Sequence, residues 1–173
     1  MRPHSRQILT VEEIFGNNGW HCELVEGRDV LRASFDAHHT RIDMVVQAHP
    51  SLNALTVVTE SPMEMSAGHQ SAALELLNRA NKPLTLGSFE YDLDRSMLVF
   101  RITNLFEREK YDPDIVASMV HCAIAELDRL TPYVSLVKNT AVDLLPDMDL
   151  ERLLAREDVI PPVPEYDGEE EEY

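Results

Sequence analysis

Residues 72–137 read AALELLNRANKPLTLGSFEYDLDRSMLVFRITNLFEREKYDPDIVASMVHCAIAELDRLTPYVSLV. The run parses as helix, strand, turn, strand, long helix. Ala73, Leu74, Leu77 and Ala80 recur at the three- and four-residue spacing of an amphipathic helix, which Ser66 would cap and Asn81-Lys82-Pro83 would stop. From residue 86 the period drops to two, with Gly87, Phe89, Tyr91 and Leu93 on one side and Leu86, Ser88, Glu90 and Asp92 on the other. Asp94-Arg95-Ser96 turns the chain, and residues 97–102 return as the second arm of a hairpin. Asp112-Pro113-Asp114 then opens a long helix: Asp112 suits the cap, Pro113 the first helical position, and Asp114 the positive end of the dipole. Its apolar face includes Ile115, Met119, Val120, Ile124 and Leu127, the residues expected to form a core or dimer face. Pro132 is expected to bend or end this helix, with residues 133–142 continuing as a second arm.

Upstream, residues 1–9 read as a flexible arm. Thr10 with Glu13 three residues later has capping-box spacing, predicting a helix from Thr10 that Gly16-Asn17-Asn18-Gly19 ends. Residues 21–25, 30–35, 41–48 and 54–59 alternate or are β-branched, and turns too short for crossovers join them, so they predict an antiparallel meander. A domain over 10–145 is followed by a short helix within 146–156. Residues 157–173 hold eight acidic side chains and no Lys or Arg, half of the formal net charge of −16, and read as a disordered acidic tail.

That charge argues against nonspecific binding to nucleic acid or to anionic membranes. A hydrophobic content of 44% suffices for a core. No apolar run reaches 18 residues, and no hydrophobic stretch follows the basic N-terminus, so a cytoplasmic location is the default expectation. Two cysteines make no disulfide framework.

The candidates for chemistry are few. His21-Cys22 and His121-Cys122 would offer two sulfurs and two nitrogens to zinc if they met, but neighbours on a strand point to opposite faces and spaced ligand pairs are absent. Cys122 lies mid-helix near apolar residues, where a thiol is usually inert. His38-His39 and His49 fall at strand ends, where solvated turn residues are the default. Asn78 and Asn81 end the second predicted helix; Asn81 is expected to act as its C-terminal cap, and Asn78 to bond backbone across the helix–strand junction. No catalytic, cofactor or metal residues are assigned.

Leu77-Asn78-x-x-Asn81, Gly87-x-Phe89-x-x-Asp92, Leu98-Val99-x-Arg101 and Leu127-Asp128-x-x-Thr131-Pro132 together resemble the YbjN family, bacterial proteins labelled sensory transduction regulators. The likeness spans roughly residues 10–137. It implies an α+β fold similar to type III secretion chaperones, α-β-β-β-α-β-β-α, with helices on one face of a twisted antiparallel sheet. It also implies a homodimer free of cofactors that binds other proteins, with no catalytic residues to carry over; Asn78, Asn81, Gly87, Phe89, Asp92 and Pro132 would be structural. The expected function is a non-enzymatic protein-binding module, chaperone-like or regulatory. The alternatives are a small-ligand or metal sensor built on the His-Cys pairs or a pocket near Asn78, and, more distantly, an enzyme with a deep titratable pocket. The partner's identity and the pathway are not written in the sequence.

Overall fold

A six-stranded antiparallel sheet, in the order β1-β2-β3-β4-β6-β5, forms one layer of the molecule, and three of its helices pack against it. The computed structural model describes residues 3–107, 110–156 and 158. In chain order the elements are α1 (Arg6–Asn17), β1 (Cys22–Leu24), β2 (Val30–Asp36), β3 (Arg41–His49), β4 (Ala54–Pro62), α2 (Ala67–Asn81), β5 (Ser88–Asp92), β6 (Met97–Leu105), α3 (Pro113–Asn139) and α4 (Leu150–Leu154). The expected α+β architecture is therefore present; the strand expected over 21–25 is the three-residue β1 at the edge of the sheet, one strand more than the α-β-β-β opening that the family resemblance implies.

Strand alternation makes the sheet two-faced. Leu31 and Ala33 of β2, Ile42, Met44 and Val46 of β3, Leu55 and Val57 of β4, and Leu98, Phe100 and Ile102 of β6 are all buried on one side. Over them α1 packs against β1 to β3, α3 against β3, β4 and β6, and α2 against β5 and α3. The opposite face carries Arg32, Asp43, Gln47, Glu90, Arg101 and Thr103, exposed and cross-linked by polar pairs. Ser34 donates to Asp43 across the β2–β3 ladder at 2.7 Å, and Arg101 makes two bonds to Glu90 at 2.9 and 3.2 Å. One apolar and one solvated face is the usual economy of an antiparallel sheet.

The helix layer is fixed to the sheet by more than apolar burial. Thr59, fully buried on β4, donates its hydroxyl to the Ala123 carbonyl of α3 at 3.0 Å. Among the described residues every buried side-chain polar atom has a hydrogen-bond partner, so no desolvation penalty is left open in the core. Tyr111, ahead of α3, is buried and donates to the Ala54 carbonyl at 2.7 Å. Burial, with the charge of Asp29 adding to it, pushes its phenol up to about 12.

Four local expectations are corrected. The first helix begins at Arg6, not Thr10: Ser5 is the cap and accepts from the Ile8 N–H at 3.3 Å, while the Thr10 hydroxyl donates back to the Arg6 carbonyl at 3.0 Å. The flexible arm over 1–9 thus contracts, since His4 bonds the Arg28 carbonyl at 2.9 Å and the Ser5 N–H bonds Asp29 at 2.6 Å. In α2 the buried apolar set is Ala73, Leu76, Leu77 and Ala80, with Leu74 exposed. Finally, α3 runs through Pro132 to Asn139. The missing proline N–H costs a hydrogen bond, but Tyr133, Val134 and Val137 beyond it are buried, and that burial holds the last turns in place. Past α3 a 3-10 segment, Val142–Asp147, leads to α4, which packs on α2. The acidic tail expected over 157–173 lies outside the described residues, apart from Asp158, which pairs with Arg156 at 2.7 Å.

Candidate functional site

β5 is shorter than the strand it pairs with. Its register on β6 runs from Ser88↔Arg101 to Asp92↔Met97, whereas β4 pairs with β6 along its whole length to Leu105. Residues 102–105 therefore have no ladder neighbour on the β5 side among the described residues. Alternation decides which groups face that gap. Phe89 gives its N–H and C=O to Asn81, away from β6. Its partner Phe100 thus turns toward β4, and Thr103 turns its N–H and C=O to the open edge.

Behind this edge, on the helix side, is a groove of about 250 Å³ between β6 and α3, lined by Leu86, Ile102, Asp114, Ile115, Met119 and Cys122 among others. Leu86 is 61% exposed and Ile115 43% exposed, while Ile102 and Met119 form its buried floor. Exposed large apolar side chains beside a free strand edge are a surface that can receive an extended polypeptide, by backbone pairing and side-chain burial together.

The five residues expected to share a core or dimer face are divided by the fold. Val120 and Leu127 are fully buried under the sheet, Met119 and Ile115 belong to the groove, and Ile124 is half-buried in a separate cleft with Asp36, His38 and His121. Of the residues expected to be structural, Asn81 has the most specific role. Its carboxamide donates to the Phe89 carbonyl at 3.0 Å and accepts from the Phe89 N–H at 2.6 Å, standing in for a seventh strand at the edge of β5. This corrects the expectation from sequence: Asn81, not Asn78, spans the helix–strand junction, the C-cap position falls to Lys82, and Asn78 is exposed. Phe89 stacks edge-on against Phe100 at 5.0 Å, and Gly87 lies against the same ring. The Asp92 carboxylate accepts from the N–H groups of Asp94 and Arg95 at 3.1 and 3.0 Å, closing the hairpin turn.

His39 is not a solvated turn residue. Its backbone N–H donates to Asp128 Oδ1 at 2.8 Å and its imidazole Nδ1 lies 3.0 Å from Oδ2, so both carboxylate oxygens of a buried Asp on α3 are used to hold the β2–β3 turn. Truncating Asp128 to alanine would strand the His39 N–H, and a loss of about 1–3 kcal/mol is expected. Equilibrium urea denaturation checks this; a change below about 0.5 kcal/mol would show the clasp to be dispensable.

Three of the four residues in the His-Cys pairs serve as packing, and His21 is exposed. His121 stacks edge-on with Trp20 at 5.2 Å, and Cys22 and Cys122 are both free and partly buried. Burial pushes both thiols up, with Glu12 adding to it at Cys22 and Glu126 at Cys122, so neither is activated toward the thiolate. Among the described residues no three His, Cys, Asp or Glu side chains converge as metal ligands would. No helix among them is long and apolar enough to cross a membrane.

Residues 8–135 match the YbjN family model, described as "Putative bacterial sensory transduction regulator". Among solved structures, the chain is similar to that of "YbjN, a putative transcription regulator from E. coli", with a TM-score of 0.53 at 10% identity, covering 81% of this chain and 92% of that one. It is also similar to a chain of the HopA1–SchA chaperone–effector complex, with a TM-score of 0.48 at 10% identity, covering 73% and 96%. No curated protein matches the sequence.

Proposed function

The chain belongs to the YbjN family, and on that premise we propose that it is a non-enzymatic, protein-binding module of regulatory or chaperone-like type, acting as a homodimer in the cytoplasm. The observation that carries this reading is the apolar groove beside the unpaired end of β6, with Leu86 and Ile115 exposed on its rim. An extended segment of a partner protein would add to β6 at Thr103 and bury its apolar side chains against Ile102 and Met119. The acidic side chain of Asp114 at the rim and the overall charge favour a segment with basic flanks.

The double variant Leu86→Asp/Ile115→Asp tests it. Leu86 is mostly solvated and Ile115 is 43% exposed, so the melting temperature should hold within a few degrees, while proteins that co-purify with the native chain should be lost. Co-purification of the same proteins at the same yield would remove the groove from the proposal. Light scattering tests the dimer in the same preparations: a mass twice the 19.7 kDa of the chain is expected, and a single-chain mass at micromolar concentration would refute the homodimer.

A further inference from the structure

At the other end of the helical layer, the C-terminus of α2, the middle of α3 and α4 enclose a second cleft of about 510 Å³. Its apolar wall is Ala80, Pro83, Leu154 and Ala155, and three cations, Arg79, Lys82 and Arg129, stand around it with Glu151 as the one acidic lining residue. That concentration is unusual in a chain with 31 acidic and 15 basic residues. Two of the cations are partly engaged: Arg79 pairs with Glu75 at 2.9 Å and Glu151 at 3.3 Å, and Arg129 with Glu126 at 2.6 Å. Lys82 is exposed and has no carboxylate within ion-pair distance among the described residues.

The chain runs along the wall of this cleft at the end of α4 and then turns out beside it, Arg156 lining the neighbouring cleft with Leu136 and Arg152. Leu154 and Ala155 line the first cleft, and the Arg156 carbonyl is held by the Tyr133 hydroxyl on α3 at 2.8 Å. Beyond Asp158 the sequence continues with six apolar residues, 159–164 (VIPPVP), and then six acidic residues between 165 and 172 with no Lys or Arg. Apolar first and anionic second is the complement of the apolar wall and cations that the cleft presents. Ten residues separate Ala155 from Glu165, a reach of up to about 34 Å. Tethering holds the segment near its target at an effective concentration on the order of millimolar, so a weak contact suffices for occupancy.

We infer that the cleft between α2, α3 and α4 is the docking site of the chain's own C-terminal segment, residues 159–172, with the apolar stretch against Ala80, Pro83 and Leu154 and the acidic stretch on Arg79, Lys82 and Arg129. The segment is an internal ligand, and an acidic partner for this cleft must displace it.

The chain has three lysines, Lys82, Lys110 and Lys138, all exposed, and they make a built-in comparison. Zero-length carbodiimide coupling of the full chain, read by peptide mass spectrometry on a mixture of ¹⁴N- and ¹⁵N-labelled protein, reports which lysine the tail carboxylates meet and whether the link is within one chain. Links within one chain from Glu165, Asp167 or 169–172 to Lys82 should exceed those to Lys110 and Lys138 by about tenfold. They should fall several-fold in 0.5 M NaCl and in Arg79→Gln/Arg129→Gln. Equal labelling of the three lysines would show a solvated tail and overturn the inference. Links confined to mixed-isotope pairs would overturn it too, by assigning the contact to a second copy. Neither result bears on the groove beside β6.

Discussion

Replacing Gly87 by alanine is expected to cost about 3–5 kcal/mol, a large share of the roughly 5–15 kcal/mol that holds such a domain together. Two effects add. Gly87 sits at φ +73°, in the left-handed region where a side chain is strained. A Cβ there would also collide with Cζ of Phe100 and lie 2.8 Å from the Arg101 carbonyl oxygen. Neither neighbour can give way cheaply: Phe100 is fully buried and stacked on Phe89, and the Arg101 backbone belongs to β6. Gly16 in α1 is the control, because nothing lies within 4 Å of the position its Cβ would take and a helical alanine is favoured by about 1 kcal/mol. Urea denaturation of the two variants reads the difference directly. A Gly87→Ala protein with its midpoint within error of the native one would refute both the close approach and the strain.

Val120→Asp is expected to be comparably severe, on the order of 4 kcal/mol or more, because Val120 is fully buried and a carboxylate there would lose its hydration without gaining a partner. The same substitution at Ile115, one and a half turns earlier on the same helix, should leave stability almost unchanged. Ile115 is 43% exposed and sits in the first turn of α3, where a negative charge is favoured by the helix dipole. Thermal melting of Val120→Asp and Ile115→Asp side by side tests the division of the α3 face into core and groove. Equal losses in the two would mean that Ile115 is buried in solution, as by a second copy of the chain.

The legibility of each feature depends on the range over which its signal acts. The helix–hairpin–helix segment was readable because the periods of 3.6 and 2 are local, as are the signals of Asp112 and Pro113; Asp112 does accept from the N–H groups of Asp114 and Ile115 at 2.9 and 3.2 Å. The start of α1 is not legible locally, because Thr10 and Glu13 imitate a capping box, whereas the true start is held by Asp29, 24 residues from Ser5. In α2 the choice of Leu74 over Leu76 was a matter of phase, and only the position of β5 and α3 settles which stripe faces inward.

The candidate site was far less legible. Ile115 and Leu86 are ordinary apolar residues in sequence, and nothing local shows that β5 stops four residues short of the end of β6. His39 looked like a turn residue until α3 brought Asp128 to it from 89 positions away. The two His-Cys pairs were expected to be core thiols beside partly exposed imidazoles; Cys22 and Cys122 pack against the core and His121 stacks on Trp20, a contact between residues 101 positions apart.

By itself, then, the sequence of this protein determined the type and order of its elements, because hydrophobic period, capping and turn chemistry act within a few residues. Only the tertiary structure decided which polar groups meet, which end of β6 stays open and which cations gather where the chain leaves α4. Those are juxtapositions of residues distant in the chain, set by the length of each strand and by the way one core is closed.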